Sequence, residues 1–427
     1  MSRFLVYTAP ATGHVLPLVP GLLELRRRGH LVHVRTLPEL TGTLREAGLE
    51  TSALDPAVTG AEVTDYRAKG SAERLHSGQT DLVRRGRFDG PDFDAAVAAF
   101  GPDAVLVDAI AYGAQTRAEA LPLPSALVLP SVLPWPGRGI PPYGLGLRPR
   151  TDALGRVRDA VLWRAVVRMF GKAMLPGLNE LRRACGLPEF TSPLDQYGRH
   201  DAVLVLTGQP LEYPRTDLPG HIHFVGAQPW DPPAERPAYL DEPGDPWILV
   251  TCSTDYQGDE DLAVTAAEAL RDQPVRVLIT LADAYDTTPL RSGGNIRVER
   301  FVPHGHALDH CAAVVSHGGF GIVSKAMAAG VPSVVVPYGR DQPEIARRVT
   351  EAGAGVTLRP GKLTPAALRA AVRRARALTP AARAAAATLR AHSGPALFAD
   401  AAESLVAPKE DGSENPARDG RALAPGG

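Results

Sequence analysis

The stretch His317-Gly318-Gly319-Phe320-Gly321 holds the chain's densest set of groups able to do chemistry. Ahead of it, Ala312-Ala313-Val314-Val315 is a short apolar run, the pattern of a strand buried in a parallel sheet. The glycines let backbone N–H groups approach an anion with no Cβ in the way. Residues 322–329 have helical character, Gly330 closes them as a C-cap would, and Val334-Val335-Val336 supplies the next strand. The segment is therefore a βαβ unit with an anion site between its first strand and its helix. Asp341-Gln342 follow as a polar pair suited to hydroxyl groups. Asp341 and Glu344 also read as an N-cap and an N3 carboxylate, which would leave Gln342 free to reach a ligand. A second centre is His14, just after the first apolar run. An imidazole titrating near neutrality can take a proton from a hydroxyl, and a carboxylate on its other nitrogen would fix its tautomer. Asp108 ends the apolar run 105–107 and is placed for that task, whereas Asp103 starts the run and belongs at the opposite edge of the sheet. The plainer readings are a helix-capping histidine and a loop aspartate bonded to nearby amides.

These residues need a scaffold, and the apolar pattern describes one. Residues 4–7 read as a short buried strand, 17–28 as the helix after it, and 31–35 as the return to the sheet. Runs at 105–107, 125–128 and 202–206 add strands, the last of them closing the first half. Residues 61–89 read as polar and irregular, and 156–175 as an amphipathic helix packed on the first domain. The Pro- and Gly-rich segment 131–150 is a long loop carrying Trp135 and Tyr143. Long loops in compact domains tend to be functional, so these aromatic residues are candidates for a binding wall. An N-terminal domain over 1–215 and a Pro-rich linker over 216–243 precede a second α/β domain over 244–385. Residues 364–405 are Ala- and Arg-rich and helical, and 408–427 have the composition of a disordered tail.

Composition narrows the function classes. The 427 residues are 44% hydrophobic and 22% charged, which suits a globular protein with a sizeable core. A net charge of −1 argues against a nucleic-acid partner. Cys185, Cys252 and Cys311 are too dispersed for a disulfide framework or a metal pair, and point to a reducing compartment. Pro10, Thr12 and His14 interrupt the N-terminal apolar stretch, so it is read as a strand and loop and not as a signal peptide. No run reaches the roughly 20 apolar residues of a membrane span, and a cytoplasmic protein is expected. His304, His306, His310 and His317 match no zinc spacing, and no Gly-x-Gly-x-x-Gly follows a strand.

Phe301-Val302-Pro303-His304, His317-Gly318-Gly319, Gly330-Val331-Pro332 and Asp341-Gln342 together resemble the donor-binding signature of family 1 glycosyltransferases, closest to the bacterial branch that decorates antibiotics and other natural products. Gly13-His14-Val15-Leu16-Pro17 and Pro102-Asp103-Ala104-Val105-Leu106-Val107-Asp108 are similar to that family's acceptor-domain motifs, in the right order. The likeness covers all but the tail. It implies the GT-B fold, two doubly wound Rossmann-like domains facing across a cleft, with a C-terminal helix over 386–407 crossing back onto the first domain. It further implies an inverting, metal-independent enzyme without a cofactor, whose partners are a nucleotide-sugar donor and a small apolar aglycone accepting on a hydroxyl; a homodimer stays open. His14 would be the base and Asp108 its partner. Thr12, Ser253, Thr254, His317, Gly318, Gly319 and Gly321 would hold the donor's diphosphate end, Phe301 and Val302 its base, and Asp341 and Gln342 its sugar. Trp135 and Tyr143 would face the acceptor. Two positions depart from the pattern. Ile322 stands where the family often has Ser or Thr for phosphate, and Lys325 where it often has Glu for the ribose. Losing that carboxylate favours a dTDP-deoxysugar over a UDP-sugar, and Lys325 is free by charge to meet phosphate. A GT-B epimerase and a non-catalytic partner of another enzyme are the rivals to this reading.

Overall fold

The computed structural model describes residues 1–68, 71–253, 258–392 and 394–407. Two parallel sheets organise the chain. The first holds β1 (Arg3–Tyr7), β2 (Leu31–Thr36), β3 (Glu50–Ala53), β4 (Ala104–Asp108), β5 (Ser125–Leu129), β6 (Ala202–Val205) and β7 (Ile222–Phe224), in the order β3-β2-β1-β4-β5-β6-β7. The second holds β8 (Trp247–Thr251), β9 (Arg276–Thr280), β10 (Ile296–Glu299), β11 (Cys311–Ser316), β12 (Ser333–Val335) and β13 (Gly355–Thr357), in the order β10-β9-β8-β11-β12-β13. Every strand pair is parallel, as in β4 with β5 (Leu106 opposite Ala126) and β8 with β11 (Leu249 opposite Val314). A parallel strand carries helices on both faces, so β4, β5, β6 and β8 are buried at every position and apolar except for Asp108, Ser125 and Thr251 at their ends. This is the doubly wound pair of domains, the GT-B arrangement.

The structure departs from the sequence reading at several places. The segment expected to be irregular is mostly the long helix Ser71–Phe100, which runs on past Pro91. Its glycines, which argue against a helix locally, let neighbours come close: a Cβ at Gly86 would stand 2.6 Å from Leu181 Cδ1 and 3.0 Å from Gly113 N. Tertiary packing overrides propensity there. The amphipathic helix is also longer than its stripe suggested, reaching from Ala153, where Asp152 caps it by accepting from Gly155 N–H, to Ala184. Strand β7 pairs with β6, so the first sheet gains one strand from the start of the Pro-rich segment. The final helix Pro395–Glu403 contributes Phe398, Ala399 and Ala402 to the core of the N-terminal domain. Phe398 fits there because residue 21 has no side chain; a Cβ on Gly21 would meet its ring at 2.4 Å. Arg28 and His30 add ion pairs to Asp400 and Glu403.

Polar contacts join the two domains. Arg348 of the helix Gln342–Glu351 reaches Glu212 after β6 (2.6 Å), Arg340 pairs with Asp65, and Ser131 Oγ donates to Asp341 (2.7 Å). Among the described residues no helix is long and apolar enough to cross a membrane. The C-terminal segment 408–427 lies outside the described residues.

Candidate active site

Strand order reverses next to β1 and β4 in the first sheet and next to β8 and β11 in the second. Loops leaving such switch points are where open α/β sheets hold ligands. In the first domain His14 lies in such a loop and Asp108 closes the strand β4 beside it, and in the second the loops carry Ser253 and His317.

His14 sits on the one-turn helix Thr12–Val15, which Thr12 opens. Its Nδ1 lies 2.9 Å and 3.1 Å from the two carboxylate oxygens of Asp108. An ionised carboxylate only accepts, so Nδ1–H donates and Nε2 keeps its lone pair. Asp108 is fully buried, while the His14 side chain keeps 25% of its surface open. Asp108 also accepts from the Ile110 N–H (2.9 Å), and its carbonyl accepts from Gln115 Nε2 (3.0 Å). Burial works to lower the His14 pKa, but the Asp108 charge, its hydrogen bond and the charge of Asp341 outweigh that and raise it. Asp341 belongs to the other domain, so the imidazole feels both. Asp103 is bonded to the Arg3 N–H at the far end of β4, which removes it as a competitor.

On the other side, Gly319 is the N-cap of the helix Phe320–Ala328, whose first turn has no acidic residue. The first intrahelical bond runs from Val323 N–H to Gly319 O (3.1 Å), so the N–H groups of 320–322 are the unsatisfied donors of that end. Gly318 has φ +96°, and a Cβ there would meet Val335 Cγ1 at 2.5 Å. A Cβ on Gly319 would stand 2.5 Å from His317 Nε2, whereas one on Gly321 would meet open space. Backbone and helix dipole together make an end that an oxyanion can approach. Phe301 is 55% exposed and offers a free ring face, while Val302 is buried in the core below it.

Several expected donor contacts are arranged differently. Ser253 gives both its N–H (2.9 Å) and its hydroxyl (2.8 Å) to Asp259, and Thr254 lies outside the described residues. His317 has its pKa lowered by burial against the opposing charge of Asp259, so at neutral pH it offers an N–H and no full charge. The Asp341–Glu344 capping box is absent: Asp341 makes no cap bond and instead accepts from Ser131 Oγ, while Glu344 binds Arg348. Gln342 does not simply point at a ligand, because its Oε1 accepts from the N–H groups of Tyr338 (2.7 Å) and Gly339 (3.1 Å). Ile322 turns into the apolar core beside Trp247 and Val314. Lys325 is taken by Asp231 of the linker (2.6 Å), whose other oxygen accepts from Gly305 N–H (2.9 Å). Trp135 is a core residue packed edge-on against Tyr197, and not an exposed wall, because its loop folds back over β5 and β6. Tyr143 of the same loop does reach the domain junction, where burial and the nearby Asp341 keep its phenol protonated.

Sequence reasoning missed Ser131, Asp231 and Asp259. Ser131 and Asp231 act on residues far along the chain, whereas Asp259 binds nearby Ser253 and its position ahead of a helix start was a local signal. Among the described residues no three His, Cys, Asp or Glu side chains converge as metal ligands would.

Comparison with known proteins agrees with this architecture. A sequence profile for the family described as erythromycin biosynthesis protein CIII-like, C-terminal domain, matches residues 268–401. The chain is 32% identical over 391 residues to 4′-demethylrebeccamycin synthase of Lentzea aerocolonigenes, covering 87% of this chain and 91% of that one. It is 30% identical over 400 residues to O-mycaminosyltylonolide 6-deoxyallosyltransferase of Streptomyces fradiae, covering 87% and 89%. Among solved structures, the glycotransferase of kitacinnamycin superposes with a TM-score of 0.72 at 22% identity, covering 95% of this chain and 98% of that one. Glycosyltransferase VinC in complex with dTDP superposes with a TM-score of 0.68 at 23% identity, covering 95% and 98%. Identity at this level over nearly the whole of two curated enzymes, on a shared fold, means that the chain belongs to the family 1 glycosyltransferases of bacterial natural-product biosynthesis and is a GT-B sugar-transferring enzyme.

Proposed function

We propose that the protein transfers a deoxysugar from a dTDP-sugar to a hydroxyl of a small apolar aglycone, with inversion and without a metal. The observation that carries this reading is the His14–Asp108 pair, which leaves Nε2 with its lone pair on an imidazole that feels the charge of Asp341 from the other domain. In the reaction, His14 Nε2 takes the acceptor's hydroxyl proton as that oxygen bonds to the anomeric carbon. The bond from that carbon to the diphosphate breaks on the opposite face, and its electron pair leaves with the nucleotide. The helix end at 320–322 and the His317 N–H receive the new negative charge. Asp108 stabilises the imidazolium through Nδ1–H. Asp341, already a hydrogen-bond acceptor for Ser131, is the candidate to accept from a sugar hydroxyl.

The preference for dTDP rests on Lys325, whose ion pair with Asp231 stands where a ribose-binding carboxylate would be useful. A 2′-deoxy nucleoside has one hydroxyl fewer to satisfy there. One relative is named for 6-deoxyallosyl transfer and one structural neighbour holds dTDP, which supports the same choice. A thermal-shift panel of UDP, dTDP and GDP, with and without Mg²⁺, tests this directly. At one hundred times its Kd a ligand adds about 2.7 kcal/mol to the folded state. A shift with dTDP that Mg²⁺ does not alter is expected; a shift confined to UDP, or one requiring Mg²⁺, overturns the assignment.

The same assay separates two roles for Lys325. Lys325→Met strips the largely buried Asp231 of its cation and leaves it the Gly305 N–H, a loss on the order of 1–3 kcal/mol. The expected result is a lower Tm with the dTDP increment intact. An increment that vanishes would make Lys325 a phosphate ligand after all.

A further inference from the structure

Behind His14 and Asp108 lies a buried ion pair that does not close. Arg85 and Asp89, one turn apart on the helix Ser71–Phe100, are both almost fully buried. Arg85 Nε and Asp89 Oδ2 stand 4.0 Å apart, and neither atom has a hydrogen-bond partner among the described residues. Leaving buried polar atoms bare is costly, so mutual attraction does not explain why the two are held this way.

Both residues commit their other atoms to one short segment. Arg85 Nη2 donates to the Ile110 carbonyl (2.8 Å), and Asp89 Oδ1 accepts from the Ala114 N–H (3.0 Å). The Ile110 N–H donates in turn to Asp108 Oδ1, and Asp108 accepts from His14. The path from Arg85 to His14 is thus continuous through one residue, Ile110, and one carboxylate. Glycines clamp it in place: a Cβ on Gly113 would lie 1.9 Å from Gly86 O and 2.2 Å from Asp89 Oδ1. A helix that close cannot shift without moving the segment 108–114.

We propose that Arg85, with Asp89 as its counter-charge, is a positioning residue for sugar transfer: it fixes the turn that holds Asp108 and sets the charge felt by His14. This rests on His14 acting as the base. The charged groups facing His14 are Asp108 from β4, Asp341 from the donor domain and Arg85 from the long helix; the first two raise its pKa and Arg85 lowers it. Around Asp89 stand Arg85 and Asp92, and burial pushes its carboxyl up to about 7. Asp89 therefore gains its charge over the pH range in which a base must be unprotonated. Tyr112, beside Arg85 and Asp108, is kept neutral by burial.

The test needs no substrate. The chain has 12 histidines, so selective ¹⁵N-histidine labelling gives a tractable NMR spectrum, with His14 assigned by the signal lost in His14→Ala. Arg85→Gln keeps an N–H donor and removes the charge, and is expected to move the His14 titration to higher pH. Arg85→Lys restores the charge and should bring the titration back toward the wild-type position. Asp89→Asn still accepts from Ala114, leaves Arg85 uncompensated and should move the titration to lower pH. A merely structural role would change stability and leave the titration where it was. An unmoved His14 titration in folded Arg85→Gln overturns the proposal; should that variant not fold, an unmoved titration in Asp89→Asn overturns it equally. The reading of His14 as base fails separately, if His14→Ala keeps full transferase activity.

Discussion

Replacing His14 with alanine lowers kcat/KM for sugar transfer by roughly 10²–10⁴-fold and leaves dTDP affinity unchanged. The rate falls because the lone pair that takes the acceptor's proton is lost, together with the use of the buried Asp108 anion that stands 2.9 Å behind it. Affinity is spared because the glycine turn and helix end of residues 317–322 belong to the other domain and do not rely on the imidazole. Asp108→Asn should fall by a similar factor for a different reason. A carboxamide turned with its NH₂ toward Nδ1 forces the proton onto Nε2, the atom that must accept it. Because the two residues act as one unit, the double variant should be little worse than either single one. Turnover measured with a dTDP-sugar and an aglycone from a natural-product library, with dTDP binding by calorimetry alongside, checks all three. Wild-type turnover in His14→Ala would remove the histidine from the chemistry. In the wild type, activity should rise with pH as His14 loses its proton, and that rise is displaced upward from the ordinary imidazole value because the net shift in His14 is upward.

Much of this was legible in the sequence, and the part that was has a common cause. The strands β1, β4, β8 and β11 are built on apolar runs, and each ends in or is followed by a residue able to do chemistry: His14 after β1, Asp108 at the end of β4, Ser253 after β8 and His317 after β11. A doubly wound sheet puts chemistry at the ends of its strands, so finding the strand finds the site. Where function depends on contacts distant in sequence, the pattern is silent. The helix Ser71–Phe100 is broken up by Gly78, Gly86, Gly90 and Pro91, residues that locally argue against a helix. Two of these glycines are tolerated because another backbone approaches them, and that approach is invisible along the chain. Trp135 shows the reverse error: an aromatic residue in a long loop suggests a binding wall, yet its ring completes a core with Tyr197. Asp231 bonds Lys325 from the linker, so a departure from the family pattern that looked like an open charge is in fact a paired one.

Arg348 is the position where one substitution should most damage the structure, since Arg348→Met is expected to cost roughly 3–5 kcal/mol. The guanidinium is 1% exposed and joins two domains. It donates to Glu212 (2.6 Å) and the Leu211 carbonyl (2.9 Å) on the N-terminal side, and to Glu344 (3.0 Å) on its own helix, while the Tyr213 ring lies 4.3 Å away. Methionine fills much of the volume but leaves two buried carboxylates facing each other without the cation bonded to both, Arg215 standing near them only as a charge bonded to neither. Glu212 keeps the Leu133 N–H, whereas one oxygen of Glu344 has no partner even in the native protein. Burial already raises the Glu344 pKa against the pull of Arg348. Without that pull it rises further above its unfolded value, so the folded variant binds more protons than the unfolded chain. Its stability is then retained at acid pH and lost as pH rises through the folded pKa. The Tm deficit should therefore be largest near and above neutral pH, on the order of 10 °C for a cost of this size, and should shrink toward pH 5. Adding Glu212→Gln and Glu344→Gln removes both stranded charges and should recover most of the loss. A deficit independent of pH, and unrelieved by those two changes, would mean that Arg348 acts through its packing on Tyr213 and not through the charge it carries between the domains.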